Sequence, residues 1–204
     1  MKLEKKIQRK DSHPKKTISE AKTLSEQVIE KLKNRGYVLL VQKKLQEAIG
    51  LCNIAHEIDP NNAEIFHLKG QIYLADFQKN QQSIELAVIN SDKAAILEPH
   101  NYLFNLQYLK ASSFAIDIFR MYKVFSEEEI EKMQNHIFLN YEKATAKFPD
   151  KEELHILMAG FYLEQKNYVK AEESFEKIIK RFPHNAIASF YLNKLQNIKM
   201  SVKP

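Results

Sequence analysis

The stretch YVKAEESFEKIIKRFPHN, residues 168–185, contains one amphipathic helix, the point where it stops and a cap for a following helix. The apolar residues that share one face at helical spacing are Ala171, Phe175, Ile178, Ile179 and Phe182. Pro183 breaks the helix, because proline has no backbone N–H to donate and its ring clashes with the preceding turn. An asparagine two residues later can cap another helix. The stretch therefore predicts two successive helices joined by a short break.

The same kind of phrase occurs three more times along the chain. It is HEIDPNN at 56–62, AILEPHN at 95–101 and TAKFPDK at 145–151. The four prolines, Pro60, Pro99, Pro149 and Pro183, are 39, 50 and 34 residues apart. An amphipathic stretch precedes and follows each of them, and one such helix pair cannot bury its own apolar face. Because a stack of pairs can bury these faces, the repetition predicts an all-α solenoid.

The composition agrees with helices and excludes a disulfide-stabilised protein. The chain has 204 residues, of which 44% are hydrophobic, but only 4 Gly and 6 Pro. An all-β fold needs more turn-forming residues than this, so helices are favoured. The single cysteine, Cys52, excludes an internal disulfide framework, and its apolar neighbours indicate a small core residue rather than a reactive thiol.

The net charge of +5 is concentrated at the N-terminus. Residues 1–16 hold seven basic and two acidic side chains, so the remainder of the chain is balanced. A charged segment with few apolar residues does not recover the entropy lost on ordering, and we therefore expect 1–16 to be a basic, disordered tail. Such a tail is either a solvating terminus or a contact for nucleic acid or an anionic membrane. With no long apolar run and no apolar signal sequence, a cytoplasmic location is expected.

The proline spacing and the residues around it resemble the tetratricopeptide-repeat (TPR) family. The positions of 152–185 that carry the resemblance are Met158, Ala159, Tyr162, Ala171, Phe175, Ile178 and Pro183. In this family the small residues let two helices approach closely, and the bulky ones fill the space between them. The resemblance implies a right-handed α-solenoid of about four helix–turn–helix repeats within 17–204. The expected repeats are 29–62, 63–101, 102–151 and 152–185, followed by a capping helix at 186–200.

Two capping boxes predict helix starts. Thr17 followed by Glu20 indicates that the first helix begins near residue 18, and Ser126 followed by Glu129 indicates a helix start in the third repeat. That repeat is longer than the others, so we expect a protruding helical hairpin at about 112–137 with its tip near Val124 to Glu127. Its candidate interface residues are Phe119, Tyr122, Val124 and Phe125. The alternative is that neighbouring helices cover these side chains.

The resemblance also implies a concave groove lined by the first helix of each repeat. The candidate groove residues are Lys33, Tyr37, Leu40, His67, Gln71, Leu74, Ile156 and Leu163. The groove residues of the third repeat stay unassigned, because the register of its first helix is ambiguous. Some TPR proteins clamp a C-terminal carboxylate; Lys33 matches that clamp but Tyr37 and Leu68 do not, so we do not expect it. The alternative for several groove residues is packing against the terminal helices.

The sequence contains no motif that indicates catalysis. It has no glycine-rich phosphate loop, no GxSxG and no HExxH, and its seven histidines never pair four residues apart. We therefore expect no enzyme activity, cofactor or metal. The predicted function is an adaptor, scaffold or chaperone that binds a protein or peptide segment in the groove. The alternative is a structural subunit or homo-oligomer that docks through the long hairpin.

Overall fold

The computed structural model describes residues 14–77, 80 and 82–201, with side chains described over 24–77, 80 and 82–197. These ranges are all-helical, which confirms the predicted fold class. The helices are α1 (Pro14–Val41), α2 (Leu45–Ile58), α3 (Ala63–Asp76), α4 (Gln82–Leu97), α5 (Tyr102–Met121), α6 (Glu127–Lys147), α7 (Glu152–Glu164), α8 (Tyr168–Arg181) and α9 (Ala186–Ser201).

The helices stack in chain order. Each helix packs against the next, from α1 to α9, through short connections. The pairs α1–α2, α3–α4, α5–α6 and α7–α8 are the repeating units, and α9 packs on α8. Each pair buries the apolar face of its neighbour, as the sequence periodicity predicts.

Asparagines that follow the prolines start three of the helices. The Asn62 side chain accepts a hydrogen bond from the backbone N–H of Ile65 at 3.2 Å, and that of Asn101 accepts from Leu103 at 3.1 Å. Asn185 caps α9 in the same way. Lys151 occupies the equivalent place before α7 and makes no side-chain cap. The repeated phrase thus supplies both the end of one helix and the start of the next.

Glycines allow close helix packing in the first two pairs. A Cβ at Gly36 would lie 2.8 Å from Cδ2 of Leu68, and a Cβ at Gly70 would lie 2.5 Å from Oγ of Ser91. Ala159 holds the same place in α7 and is fully buried. In α5 this place is taken by Leu109, also buried.

Aromatic side chains fill the space between the helices of the later pairs. Tyr141 of α6 and Phe175 of α8 are among the largest fully buried side chains. Tyr141 lies 5.6 Å from the ring of Phe161, and its hydroxyl is hydrogen-bonded to Ser113 at 3.0 Å. A buried tyrosine needs such a partner for its hydroxyl. These contacts hold α6 against α5 and α7.

The N-terminal boundary differs from the prediction. The first helix begins at Pro14, so residues 14–16, expected in the tail, are helical, and Thr17 lies inside the helix rather than at its start. Proline is well suited to the first turn of a helix, because the missing N–H has no partner there and φ is already helical. The rest of the predicted tail, residues 1–13, lies outside the described residues.

The third pair forms the expected long hairpin. Its helices have 20 and 21 residues, against 13 to 16 for the helices α2 to α4 and α7 to α9. The turn lies between Met121 and Glu127, and Lys123 closes it with a positive φ of 52°. The Ser126–Glu129 capping box is present at the start of α6. Sequence therefore predicted the tip of the hairpin correctly.

Candidate functional site

The inner face of the solenoid is formed by the first helix of each pair. α1 contacts α3, α3 contacts α5, and α5 contacts α7, whereas no comparable contact joins the second helices of the described chain. The stack is therefore curved toward α1, α3, α5 and α7, which line a concave face. The candidate groove residues lie on three of these helices: Lys33, Tyr37 and Leu40 on α1, His67, Gln71 and Leu74 on α3, and Ile156 and Leu163 on α7.

Lys33 is held by two carboxylates. Its ammonium lies 2.6 Å from Glu30 on the same helix and also pairs with Glu64 on α3. The Lys33 side chain is only 12% exposed. Burial opposes its charge, but the bonds to Glu30 and Glu64 outweigh burial and raise the pKa of Lys33. The charge joins α1 to α3, so it is not free to clamp a carboxylate of a partner.

Apolar side chains form the floor of the groove at α1 and α3. Tyr37 and Leu40 are half-buried against the core of α1, α2 and α3, and burial raises the pKa of the Tyr37 hydroxyl. Leu74 is half-buried beside the cluster that contains Ile84. Each of these side chains keeps some accessible surface. That surface is what a partner segment would contact.

His67 is buried rather than presented to a partner. It is 8% exposed, and its ring lies 4.6 Å from that of Phe104 on α5. Burial lowers the pKa of His67 to about 4, so the imidazole is neutral near pH 7. Its Nε2 lies 3.1 Å from the amide nitrogen of Gln71, and a neutral ring accepts this bond. His67 therefore packs α3 against α5, and Gln71 is the more accessible of the two.

On α7, the candidate residues belong to the apolar cluster formed by α7, α8 and α9. Ile156 and Leu163 are half-buried and pack against the cluster that includes Ala188 and Leu195 of α9. Most of this cluster belongs to α7 and α8, for example Ala171 and Phe175. Ile156 and Leu163 are half-buried to the same degree as the candidate residues Tyr37, Leu40 and Leu74.

Groove residues of α5 were missed because its register was ambiguous. With Asn101 as the cap, Leu103, Lys110 and Phe114 fall on the groove side of the helix, and Leu103 is 58% exposed. The sequence does contain a signal for the register of α5, because Asn101 follows Pro99 at the same distance as Asn62 follows Pro60. This register was hard to recognise because Leu109 stands where the other pairs have a small residue.

An ion pair joins α5 to α7, as another joins α1 to α3. Nζ of Lys110 lies 2.5 Å from Glu153, which also accepts a hydrogen bond from the hydroxyl of Tyr102 at 3.0 Å. The bond from Lys110 holds the pKa of Glu153 below its usual range. Burial, and then the bond to Glu153, raises the pKa of Tyr102 to about 12. The cations of the groove are thus neutralised by carboxylates of the same chain.

Near the C-terminal ends of α5 and α7, two carboxyl groups lie close enough for the charge of one to act on the other. Asp117 of α5 is on the same helical face as Lys110, and burial raises its pKa despite the nearby Arg120. Glu164 ends α7; burial and then the charge of Asp117 raise its pKa. The charge of Arg120 acts on both carboxyl groups and lowers both pKa values in part.

The hairpin residues divide into two pairs. Phe119 and Phe125 are half-buried and pack edge to face, with ring centroids 5.0 Å apart. Tyr122 and Val124, at the turn, are 54% and 52% exposed. Phe119 and Phe125 therefore stabilise the hairpin, while Tyr122 and Val124 are available for contact.

The described part of the chain presents neither a metal site nor a membrane span. No three His, Cys, Asp or Glu side chains come together there as a metal site. No described helix is both long enough and apolar enough to cross a bilayer. Cys52 is a buried free thiol, and burial raises its pKa to about 11.

Comparison with known proteins identifies the repeat. The sequence model of the tetratricopeptide repeat matches residues 139–192. The human mitochondrial import receptor subunit TOM70 is 26% identical over 162 residues, which are 79% of this chain and 24% of that protein. TOM70 of Rattus norvegicus is also 26% identical, over 163 residues. The chain spans about a quarter of the length of these curated relatives.

Two solved structures share the fold. A thermophilic TPR protein of Thermus thermophilus, TTC0263, has a TM-score of 0.57 at 13% identity, with 82% of this chain and 81% of that chain covered. Pseudomonas aeruginosa pilF has a TM-score of 0.60 at 16% identity, with 87% and 71% covered. Together with the stacked helix pairs, these matches show that the chain has the fold of tetratricopeptide-repeat proteins, and the family's sequence model matches its residues 139–192.

Proposed function

We propose that the concave face of α1, α3 and α5 binds a segment of another protein, so that the chain acts as a scaffold or adaptor. TPR proteins generally mediate protein–protein interactions. The observation that carries the proposal is that all three helices present apolar side chains with accessible surface, beside cations that are already paired. These side chains, here called the apolar strip, are Tyr37, Leu74, Leu103 and Phe114.

The chemistry of the face specifies the kind of segment. Lys33 and Lys110 are occupied by Glu64 and Glu153, so a terminal carboxylate has no free cation to bind. A segment with two or three apolar side chains would be recognised by the strip, in the manner of other peptide grooves. The curated relatives are receptor subunits, which supports a role in holding a protein segment.

The proposal is tested by capture of partners with altered groove and control surfaces. The groove variant is Tyr37→Ala with Leu103→Asp, and the control is Val169→Asp, at a side chain on the second helix of the last pair that is 63% exposed. Partners cross-linked to the wild type in cells of the native host are identified by mass spectrometry. We expect the groove variant to lose at least one partner that the control retains. Equal recovery by both variants, with both folded, would contradict the proposal.

A second candidate is a structural subunit that docks through the tip of the hairpin. Met121, Tyr122 and Val124 are all more than half exposed there. The variant Tyr122→Asp with Val124→Asp leaves the Phe119–Phe125 contact in place, so the hairpin should still fold. Loss of a cross-linked partner from this variant alone would favour the tip over the groove.

A further inference from the structure

A cleft lies on the convex side between α4 and α6, with α5 as its floor. Two cavities of about 540 and 300 Å³ follow each other along it and share Tyr108. The larger cavity lies near the hairpin turn, where Phe119 and Phe125 close it, and its lining is almost entirely apolar. At the other end of the cleft, Nζ of Lys147 donates to the carbonyl of Pro99 at 2.9 Å.

The three helices present matching rows of side chains to this cleft. The rows are Glu85, Ile89, Asp92 and Ile96 on α4, Tyr108, Ser112, Ala115 and Phe119 on α5, and Met133, Ile137, Asn140 and Ala144 on α6. Each row follows the spacing i, i+4, i+7, i+11, which is that of a seam in a helical bundle. Eleven residues of helix extend about 16 Å. The cleft therefore has the form of a slot for a fourth helix.

Exposure shows that the slot is not covered by the described chain. Ile89 and Ile96 both line the cavities, and their side chains are 61% and 62% exposed. Single exposed apolar residues are common, but a row along a cleft marks an interaction surface. A helix in the slot would cover both isoleucines.

One layer of side chains across the slot is polar, and this layer determines which helix would fit. Asp92, Tyr108 and Asn140 meet there, and the amide of Asn140 donates to the hydroxyl of Tyr108 at 3.2 Å. Asp92 has no ion-pair partner within the described residues. The charge of His136 acts on it, and Lys143 and Lys147 line the same cavity. Toward the hairpin turn, the next side chains along the slot are apolar and include Ile89 and Ile137. The complementary helix therefore carries two apolar residues followed by a cation, since a polar group in a seam specifies register.

The outer face of α9 carries this pattern. Ile187 and Phe190 are 51% and 63% exposed, and Lys194 is exposed on the same face, seven residues after Ile187. Lys194 has no ion pair among the residues described. The opposite face of α9 is used by Ala188 and Leu195 for packing on the last helix pair. The outer face thus has nothing to cover it within the described chain.

We propose that α9 of a second copy of this chain occupies the cleft between α4 and α6, with Ile187 and Phe190 in the apolar cavity and Lys194 beside Asp92. The two surfaces are different parts of the molecule, so the contact is heterologous and copies add head to tail. One helix in a slot of this length buries less area than a standard interface, so the association is weak. We expect it to become visible at about 100 µM.

The test uses charge reversal in the full chain, measured by sedimentation velocity over a range of concentrations. The mass-average size of the wild type should increase with concentration. Asp92→Lys and Lys194→Asp should each weaken association by about tenfold or more, because like charges then face each other. An equimolar mixture of the two single variants should associate again, since each cleft then meets an α9 of opposite charge. The double variant should also associate.

Controls separate this contact from other causes. The hairpin variant Tyr122→Asp with Val124→Asp should associate as the wild type does. A chain that lacks residues 1–13 should also associate as the wild type does. This deletion is a control because the removed residues Leu3, Ile7 and Lys10 have a similar apolar–apolar–cation spacing. A constant monomer mass for the wild type would overturn the proposal. So would association that survives either single reversal, a mixture that stays monomeric, or association lost on removal of 1–13.

Discussion

Gly70 is the position where one added methyl group should change the packing of three helices. A Cβ there would lie 2.5 Å from Nε2 of Gln107 on α5 and 2.5 Å from Oγ of Ser91 on α4, and 3.3 Å from the backbone nitrogen of Ser91. The Gln107 amide donates to the carbonyl of His67 at 2.9 Å and to Ser91 at 3.0 Å. Gly70→Ala therefore displaces the side chain that joins these helices.

The magnitude follows from three contributions to the free energy of unfolding. Alanine in place of glycine within a helix stabilises by about 1 kcal/mol. Loss of the Gln107 hydrogen bonds, which leaves a buried amide without partners, costs about 2 kcal/mol. Overpacking against the backbone of Ser91 costs about 2 kcal/mol more. We expect Gly70→Ala to destabilise the chain by about 3 kcal/mol in total.

The assay is urea unfolding followed by far-ultraviolet circular dichroism, with Gly50→Ala as the matched control. Gly50 is exposed within α2, and a Cβ there would meet nothing within 4 Å. This control should stabilise the chain by about 1 kcal/mol, because only helix propensity changes. If Gly70→Ala is as stable as the wild type, the close approach of the three helices at Gly70 is refuted.

Three further predictions concern single side chains. Burial lowers the pKa of His67 in the folded chain to about 4, below the value near 6.5 in the unfolded chain. The free energy of unfolding should therefore decrease as the pH falls from 6.5 toward 4. Urea unfolding of His67→Phe should show a smaller decrease over this range, and an equal decrease would contradict the burial of His67. Asn62→Ala should lower the midpoint of urea unfolding by loss of about 1 kcal/mol of capping. Lys151→Ala, at an uncapped start, should cost only about 0.5 kcal/mol, because it removes a cation–π contact with Tyr102 and no cap. The Cys52 thiol, with a pKa raised to about 11, should react with a thiol reagent only as fast as the chain opens, and reaction at the rate of a free thiol would show that it is accessible.

The sequence was most informative where local chemistry alone determines structure. The pairs Pro60–Asn62, Pro99–Asn101 and Pro183–Asn185 specify where one helix ends and the next begins, and these caps are present. The Ser126–Glu129 capping box similarly predicted the start of α6. Each signal involves residues a few positions apart, so no knowledge of distant packing is required.

Prediction of the groove was weaker because exposure depends on neighbouring helices. His67 has the right register for the concave face, yet Phe104 of α5 lies against its ring and removes it from solvent. The register of α5 was ambiguous because Leu109 replaces the small residue on which recognition of the other pairs depends. Phe119 and Phe125 could not be told from Tyr122 and Val124 by composition, because only the turn geometry directs the two phenylalanines toward each other.

The convex cleft could not be predicted from the sequence either, because it depends on how neighbouring helices are placed. Its rows on α4, α5 and α6 each have helical spacing, but that spacing is equally typical of a face buried by the next helix pair. Only the positions of α4 and α6 on either side of α5 reveal that the rows meet without filling the space between them.

The stacking of each helix on its sequence neighbours has a kinetic consequence. Most contacts join adjacent helices, and the longer-range ones join helices two apart along the chain. Little chain must be closed into a loop before such contacts form, so we expect rapid folding that can begin at more than one pair. A chain still emerging from the ribosome could then assemble its first pairs before the later ones have been synthesised.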